Sequence, residues 1–87
     1  MKRDYVMTAS IDEQLDGTLS VSPYRAADWF EPDCMTQPFR LLDADGIPMY
    51  YGLTYPDALS FQAQDDYGPR VGCVSTEYFL NGEWKEL

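Results

Sequence analysis

The sequence predicts a mainly β domain (small α+β at most), an antiparallel sheet built from three hairpins with one short helix near residues 26–31. Three observations predict it. Glycine follows Asp or Asn at Asp16-Gly17, Asp45-Gly46 and Asn81-Gly82, and such dipeptides supply the positive φ that tight hairpin turns require. Strand-like sequence flanks each of these turns. Finally, 87 residues with a hydrophobic share of 45% and an aromatic share of 15% suffice for one modest core. That aromatic load does not fit a disordered acidic tail. A single domain over residues 1–87 is expected.

Six strands follow, at roughly Tyr5–Gln14, Thr18–Tyr24, Phe39–Asp43, Ile47–Leu53, Val71–Leu80 and Glu83–Leu87. Register is set by the apolar pattern, because a slip of one residue turns every side chain to the other face. In the first hairpin, a three-residue loop ending in Gly17 pairs Leu19 with Glu13 and Val21 with Ile11, keeping Ala9, Ile11, Leu19 and Val21 on one face. The second pairs Leu41 with Met49 and Phe39 with Tyr51. In the third, a two-residue turn pairs Phe79 with Trp84, and a bulged turn pairs Glu77 with Lys85; both are open. Phe39, Tyr51, Phe79 and Trp84 are expected in the core by this pairing.

Between the hairpins the signals are weaker. Ala26-Ala27-Asp28-Trp29-Phe30 is the helical candidate, stopped before Pro32. Ser10-Ile11-Asp12-Glu13 has capping-box spacing and offers a short helix as the rival to the first hairpin. Residues 54–69 are expected to form a long loop, although the alternation of Leu59, Phe61 and Ala63 would also suit a short edge strand.

Fifteen acids against six bases and no histidine give a formal charge of −9. Such a balance argues against direct contact with nucleic acid or an anionic membrane, where basic groups on phosphate dominate. No apolar run suggests a signal peptide or a membrane span, so a cytoplasmic location, in a bacterial host cell, is the expectation. Cys34 and Cys73 lack CxxC partners; two free thiols are expected in a reducing compartment, with a Cys34–Cys73 bridge the alternative on export.

No cofactor and no metal site is expected. Asp43-Ala44-Asp45-Gly46 resembles the start of a calcium loop, but the glycine comes too early and Gly52 stands where the bidentate Glu belongs; a hairpin turn explains these residues. Two isolated thiols fall short of a structural zinc set. Without histidine the commonest general base is missing. Asp65-Asp66 is an adjacent carboxylate pair that an acid–base hydrolase or transferase could in principle use, but solvated charge is the default reading of such a pair in a loop. The expectation is a protein that is not an enzyme.

The charge distribution is more informative. Residues 41–69 hold five acids (Asp43, Asp45, Asp57, Asp65, Asp66) and no base, interleaved with Tyr50, Tyr51, Tyr55, Phe61 and Tyr67. Asp28, Glu31 and Asp33 surround Trp29 and Phe30, and Asp12, Glu13 and Asp16 lie near the first hairpin tip. Carboxylates at phosphate-like spacing meet the same Lys and Arg groups that hold a nucleic-acid backbone. Partner-binding residues are therefore expected at Asp43, Asp45, Asp57, Asp65 and Asp66, with Tyr50, Tyr55 and Tyr67 as anchors. The partner is a basic protein surface.

In its length, base-free acidic segment, lack of histidine and lack of a catalytic motif, the chain resembles the small acidic inhibitors encoded by phages and mobile elements, anti-CRISPR proteins and other nucleic-acid mimics among them. That resemblance implies stoichiometric inhibition, with the protein occupying a nucleic-acid-binding surface of a bacterial defence effector. The alternative is a generic β-sheet interaction module that uses an apolar patch or an open edge strand.

Overall fold

A computed structural model describes residues 3–12, 18–21, 27–57 and 59–87. Its elements are β1 (Tyr5–Asp12), β2 (Thr18–Val21), β3 (Gln37–Asp43), β4 (Pro48–Thr54), α1 (Gln62–Val71), β5 (Cys73–Leu80) and β6 (Glu83–Glu86). The strands form one sheet in the order β2-β1-β4-β3-β5-β6, and every neighbouring pair is antiparallel. The fold is mainly β with a helical crossover: α1 carries the chain from β4 past β3 to β5.

All three expected strand pairs form. In the third, Phe79 stands opposite Trp84, and Asn81 and Gly82 both take positive φ (53° and 81°). This is the two-residue turn whose twist matches that of the strands. The other two registers differ from expectation. In the first hairpin Ala9 faces Val21 and Ile11 faces Leu19, a shift of two residues. The shift sets aliphatic positions opposite one another instead of Leu19 opposite Glu13. Residues 13–17, which carry the expected turn, lie outside the described residues, as do 22–26.

In the second hairpin Phe39 stands opposite Gly52 and Leu41 opposite Tyr50, with an irregularity between Leu41 and Leu42 that absorbs one residue. Packing explains the change. A β-carbon at Gly52 would lie within 2.5 Å of Phe39 Cε1 and of Val6 O, so the Phe39 ring occupies the space above a residue without a side chain. A tyrosine in that position would not fit.

The region 27–35 forms two turns where a helix is expected. Phe30 N–H donates to Ala27 O at 3.1 Å, and Cys34 and Met35 N–H both donate to Glu31 O at 3.0 and 2.7 Å. Pro32 interrupts the segment and allows no helix to run through it. Residues 10–12 belong to β1, so the rival helix there does not form. The helix occurs at 62–71, mostly within the segment expected as a loop, and it takes in Val71, where the fifth strand is expected to begin; that strand starts at Cys73. Ala63 and Gly68 are buried and Val71 is half-buried along its inner side. A β-carbon on Gly68 would lie 2.6 Å from Cys73 O, so a small residue lets α1 sit close against β5. Gly72, at φ 74°, ends the helix with its N–H donating to Gly68 O at 2.9 Å, the left-handed cap that glycine favours.

The core lies between α1 and the sheet: Tyr5, Phe39, Leu41, Ala63, Cys73 and Tyr78 are buried together. Phe39 is central, its ring 6.1 Å from both Tyr5 and Tyr78. The polar ends of this layer are all engaged. Tyr78 Oη donates to Ser60 O at 2.6 Å, Tyr5 Oη donates to Asp66 Oδ2 at 2.8 Å, and Thr76 Oγ1 donates to Gln64 Oε1 at 2.7 Å. Both cysteines are free, Cys34 exposed and Cys73 buried. Among the described residues no helix is long and apolar enough to cross a membrane.

Candidate protein-binding face

The expected acidic contacts are distributed over the molecule. Asp43 and Asp45 sit at the β3–β4 turn, while Asp57 lies beyond the far end of β4, roughly 20 Å away by the length of a seven-residue strand. Asp43 has a structural duty, its Oδ1 accepting the N–H groups of Asp45 (2.9 Å) and Ile47 (3.0 Å). Asp65 and Asp66 are exposed on α1, and Asp66 accepts the Tyr5 hydroxyl. Of the aromatic anchors, Tyr50 is half-buried and packs on the core. Tyr55 donates its hydroxyl to Glu31 Oε1 at 2.7 Å. Tyr67 lies in α1, and its side chain is outside the described residues.

The Glu31 carboxylate that receives the Tyr55 proton also opposes its loss, and Tyr55 is pushed up to about 12. Burial, reinforced by the charge of Asp43, pushes the Cys73 thiol up, which makes it a poorer nucleophile. An open depression of about 470 Å³ lies beside the end of α1, lined by Gln64, Asp65, Gly68, Pro69, Gly72, Cys73 and Val74. It contains one carboxylate, and Gln64 there is already bonded to Val74 O and Thr76. Among the described residues no three acids or thiols gather as a metal site.

A different constellation occupies the face turned away from α1. Successive cross-strand partners run Ala9 (β1), Tyr51 (β4), Arg40 (β3), Glu77 (β5) and Glu86 (β6). Directly opposed residues point to one side of a sheet, so these form a single transverse row. Arg40 Nε and Nη2 both reach Glu77 Oε1, at 2.7 and 2.6 Å. Trp84 leans over the row from β6: its ring lies 4.3 Å from the Arg40 guanidinium, 5.2 Å from the Phe79 ring and 6.2 Å from the Tyr51 ring. Phe79 is 40% exposed, and Tyr51 and Trp84 are half-buried.

Tyr51, Phe79 and Trp84 are thus surface aromatics, contrary to their expected place in the core. The sequence offered the Phe79–Trp84 pairing as one of two registers, and a pairing does not say which face the pair takes. Trp, Tyr and Arg are the residue types that concentrate binding energy at protein interfaces. Here they stand on rigid strands with the arginine already oriented.

The fold and this face define the class: a small antiparallel sheet, backed on one side by a single helix and carrying an aromatic and ionic row on the other. Compared with known proteins, the chain matches no family model, no curated protein and no solved structure.

Proposed function

We propose that the chain is a non-enzymatic binding protein that engages a basic protein surface, of the kind that holds nucleic acid, and blocks it by occupancy. The observation that carries this reading is the charge: −9 on 87 residues, with five carboxylates and no cation over residues 41–69. Asp45, Asp57 and Asp65 are exposed at separate points of the surface. Such a distribution gives the whole molecule a negative field that steers it toward a cationic partner. The resemblance to acidic phage-encoded inhibitors implies charge mimicry of nucleic acid, and the dispersed carboxylates would supply its long-range attraction rather than a single contact face.

A second reading rests on the exposure of Phe79 beside Trp84: a sheet module that binds through an apolar patch. Ionic strength separates the two. The immobilised protein is used to capture partners from a bacterial lysate at about 50 mM salt and washed at about 500 mM, a range over which screening between exposed charges becomes severe. Release of a basic, nucleic-acid-binding protein supports the first reading. Retention of the partner unchanged through the high-salt wash overturns it in favour of the second.

A further inference from the structure

We infer that the contact face is the β5–β6 end of the transverse row, and that it receives an arginine-bearing segment of the basic partner. The inference rests on the proposed binding to a basic surface and specifies its chemistry.

Glu77 and Glu86 stand directly opposite each other, an arrangement of like charges that weakens a strand pair. Arg40 lies against Glu77 and answers its charge. Glu86 is one strand further from Arg40, exposed at the sheet edge and not ion-paired among the described residues. On the same face, beside Glu86, are Trp84 and the exposed Phe79. A free carboxylate next to aromatic rings suits a guanidinium, which accepts a ring against its flat face while its N–H groups reach an acid. The Arg40–Trp84–Glu77 contact is an internal example of the same chemistry in the same row. A lysine ammonium satisfies the acid but stacks less well. A second copy of the chain is disfavoured as occupant, because each copy carries −9 and presents Glu83 and Glu86 along the β6 edge.

The backbone adds to the site. Leu87 N–H donates to Thr76 O at 3.1 Å, so alternate residues of β6 bond inward and the N–H and C=O groups of Trp84 and Glu86 point off the edge. An extended segment lying along β6 would meet both backbone groups and the Glu86 carboxylate.

The test is a titration of the isotopically labelled full chain with an eight-residue alternating Arg-Gly peptide, and separately with its Lys-Gly counterpart, followed by amide and indole NMR. Trp29 is an internal control, since its indole N–H is bonded to Tyr5 O at 2.8 Å. The expected result is perturbation of the Trp84 indole together with the Phe79, Lys85 and Glu86 amides, the Trp29 indole unmoved, and weaker binding of the lysine peptide. Glu86→Gln and Phe79→Ala, both at exposed positions, should each weaken the arginine peptide by about threefold or more while retaining a dispersed spectrum. Perturbation centred on Asp43–Ile47 or on α1 overturns this assignment and leaves the binding of a basic surface standing. Equal affinity for the two peptides, or self-association through β6, also overturns it. No binding of either peptide sinks both.

Discussion

Gly52 lies under the Phe39 ring, and a methyl group there would meet the ring and the Val6 carbonyl within 2.5 Å. Neither neighbour has room to retreat, because Phe39 is fully buried and the Val6 carbonyl is backbone. Gly52→Ala is therefore expected to cost about 1–3 kcal/mol as overpacking. Gly72 provides the contrast: nothing lies within 4 Å of its would-be β-carbon, and only its φ of 74° opposes a side chain. Gly72→Ala should cost about 1 kcal/mol from backbone conformation alone. Urea unfolding of the two variants checks the order. A second residue-scale expectation concerns Tyr55, raised to about 12 by Glu31. A group whose pKa is raised on folding stabilises the fold below its unfolded value and loses that contribution as pH climbs through the folded one. The Tyr55–Glu31 contribution should thus be intact below pH ~10 and fade toward pH ~12. Glu31→Gln should bring the Tyr55 titration back toward its ordinary range, as read from the chemical shift of its ring carbons.

At the scale of elements, the hairpins were legible because their turn chemistry is local: Asn81-Gly82 marks a tight turn by itself, while the choice between a two-residue and a bulged loop stays open until the pairing is seen. Register was less legible. The shift at Phe39–Gly52 depends on how a ring packs over a third strand, which no pairwise pattern reveals. The helix was hidden by the alternation of Leu59, Phe61 and Ala63, which suited an edge strand, and by Gly68 and Pro69, residue types that disfavour a helix interior. Pro69 falls near the end of α1, where only one internal hydrogen bond is lost, and Gly68 serves close packing. The contact face was half legible, in the Phe79–Trp84 pair, while the row Tyr51–Arg40–Glu77–Glu86 exists only once four strands are in register. The β6 geometry makes its own prediction. Lys85 and Leu87 amides, turned toward β5, should exchange with solvent at least about tenfold more slowly than those of Trp84 and Glu86, which point off the edge. Hydrogen exchange followed by NMR reads this directly.

For the whole molecule, charge and contact make separable contributions. The field of a −9 chain acts over roughly 10 Å at 0.1 M salt, so acids outside the interface alter the rate of encounter more than the lifetime of the complex. With the partner recovered by salt elution, joint reversal of Asp45, Asp57 and Asp65 to lysine should lower the association rate constant by about tenfold or more and change dissociation by less than about threefold. Glu86→Gln and Phe79→Ala should act mainly on dissociation. Surface-immobilised kinetics at two salt concentrations distinguish the two sets. The same division explains why composition bears on the charge of a proposed partner but not on the place of contact: net charge is a sum over residues, whereas a contact requires particular residues on one face.

The seating of Phe39 on Gly52 also constrains how this chain can change over time. A descendant that acquires a side chain at position 52 must both shrink position 39 and shift the β1 backbone at Val6, or the centre of the sheet no longer closes. Exposed acids such as Asp45 and Asp57 are under no such mutual obligation and can drift one at a time. Kinship to this protein should therefore persist longest in a large-against-small pair on adjacent central strands, followed by the paired positive-φ turn at 81–82, well after the acidity that first draws attention to it has been redistributed.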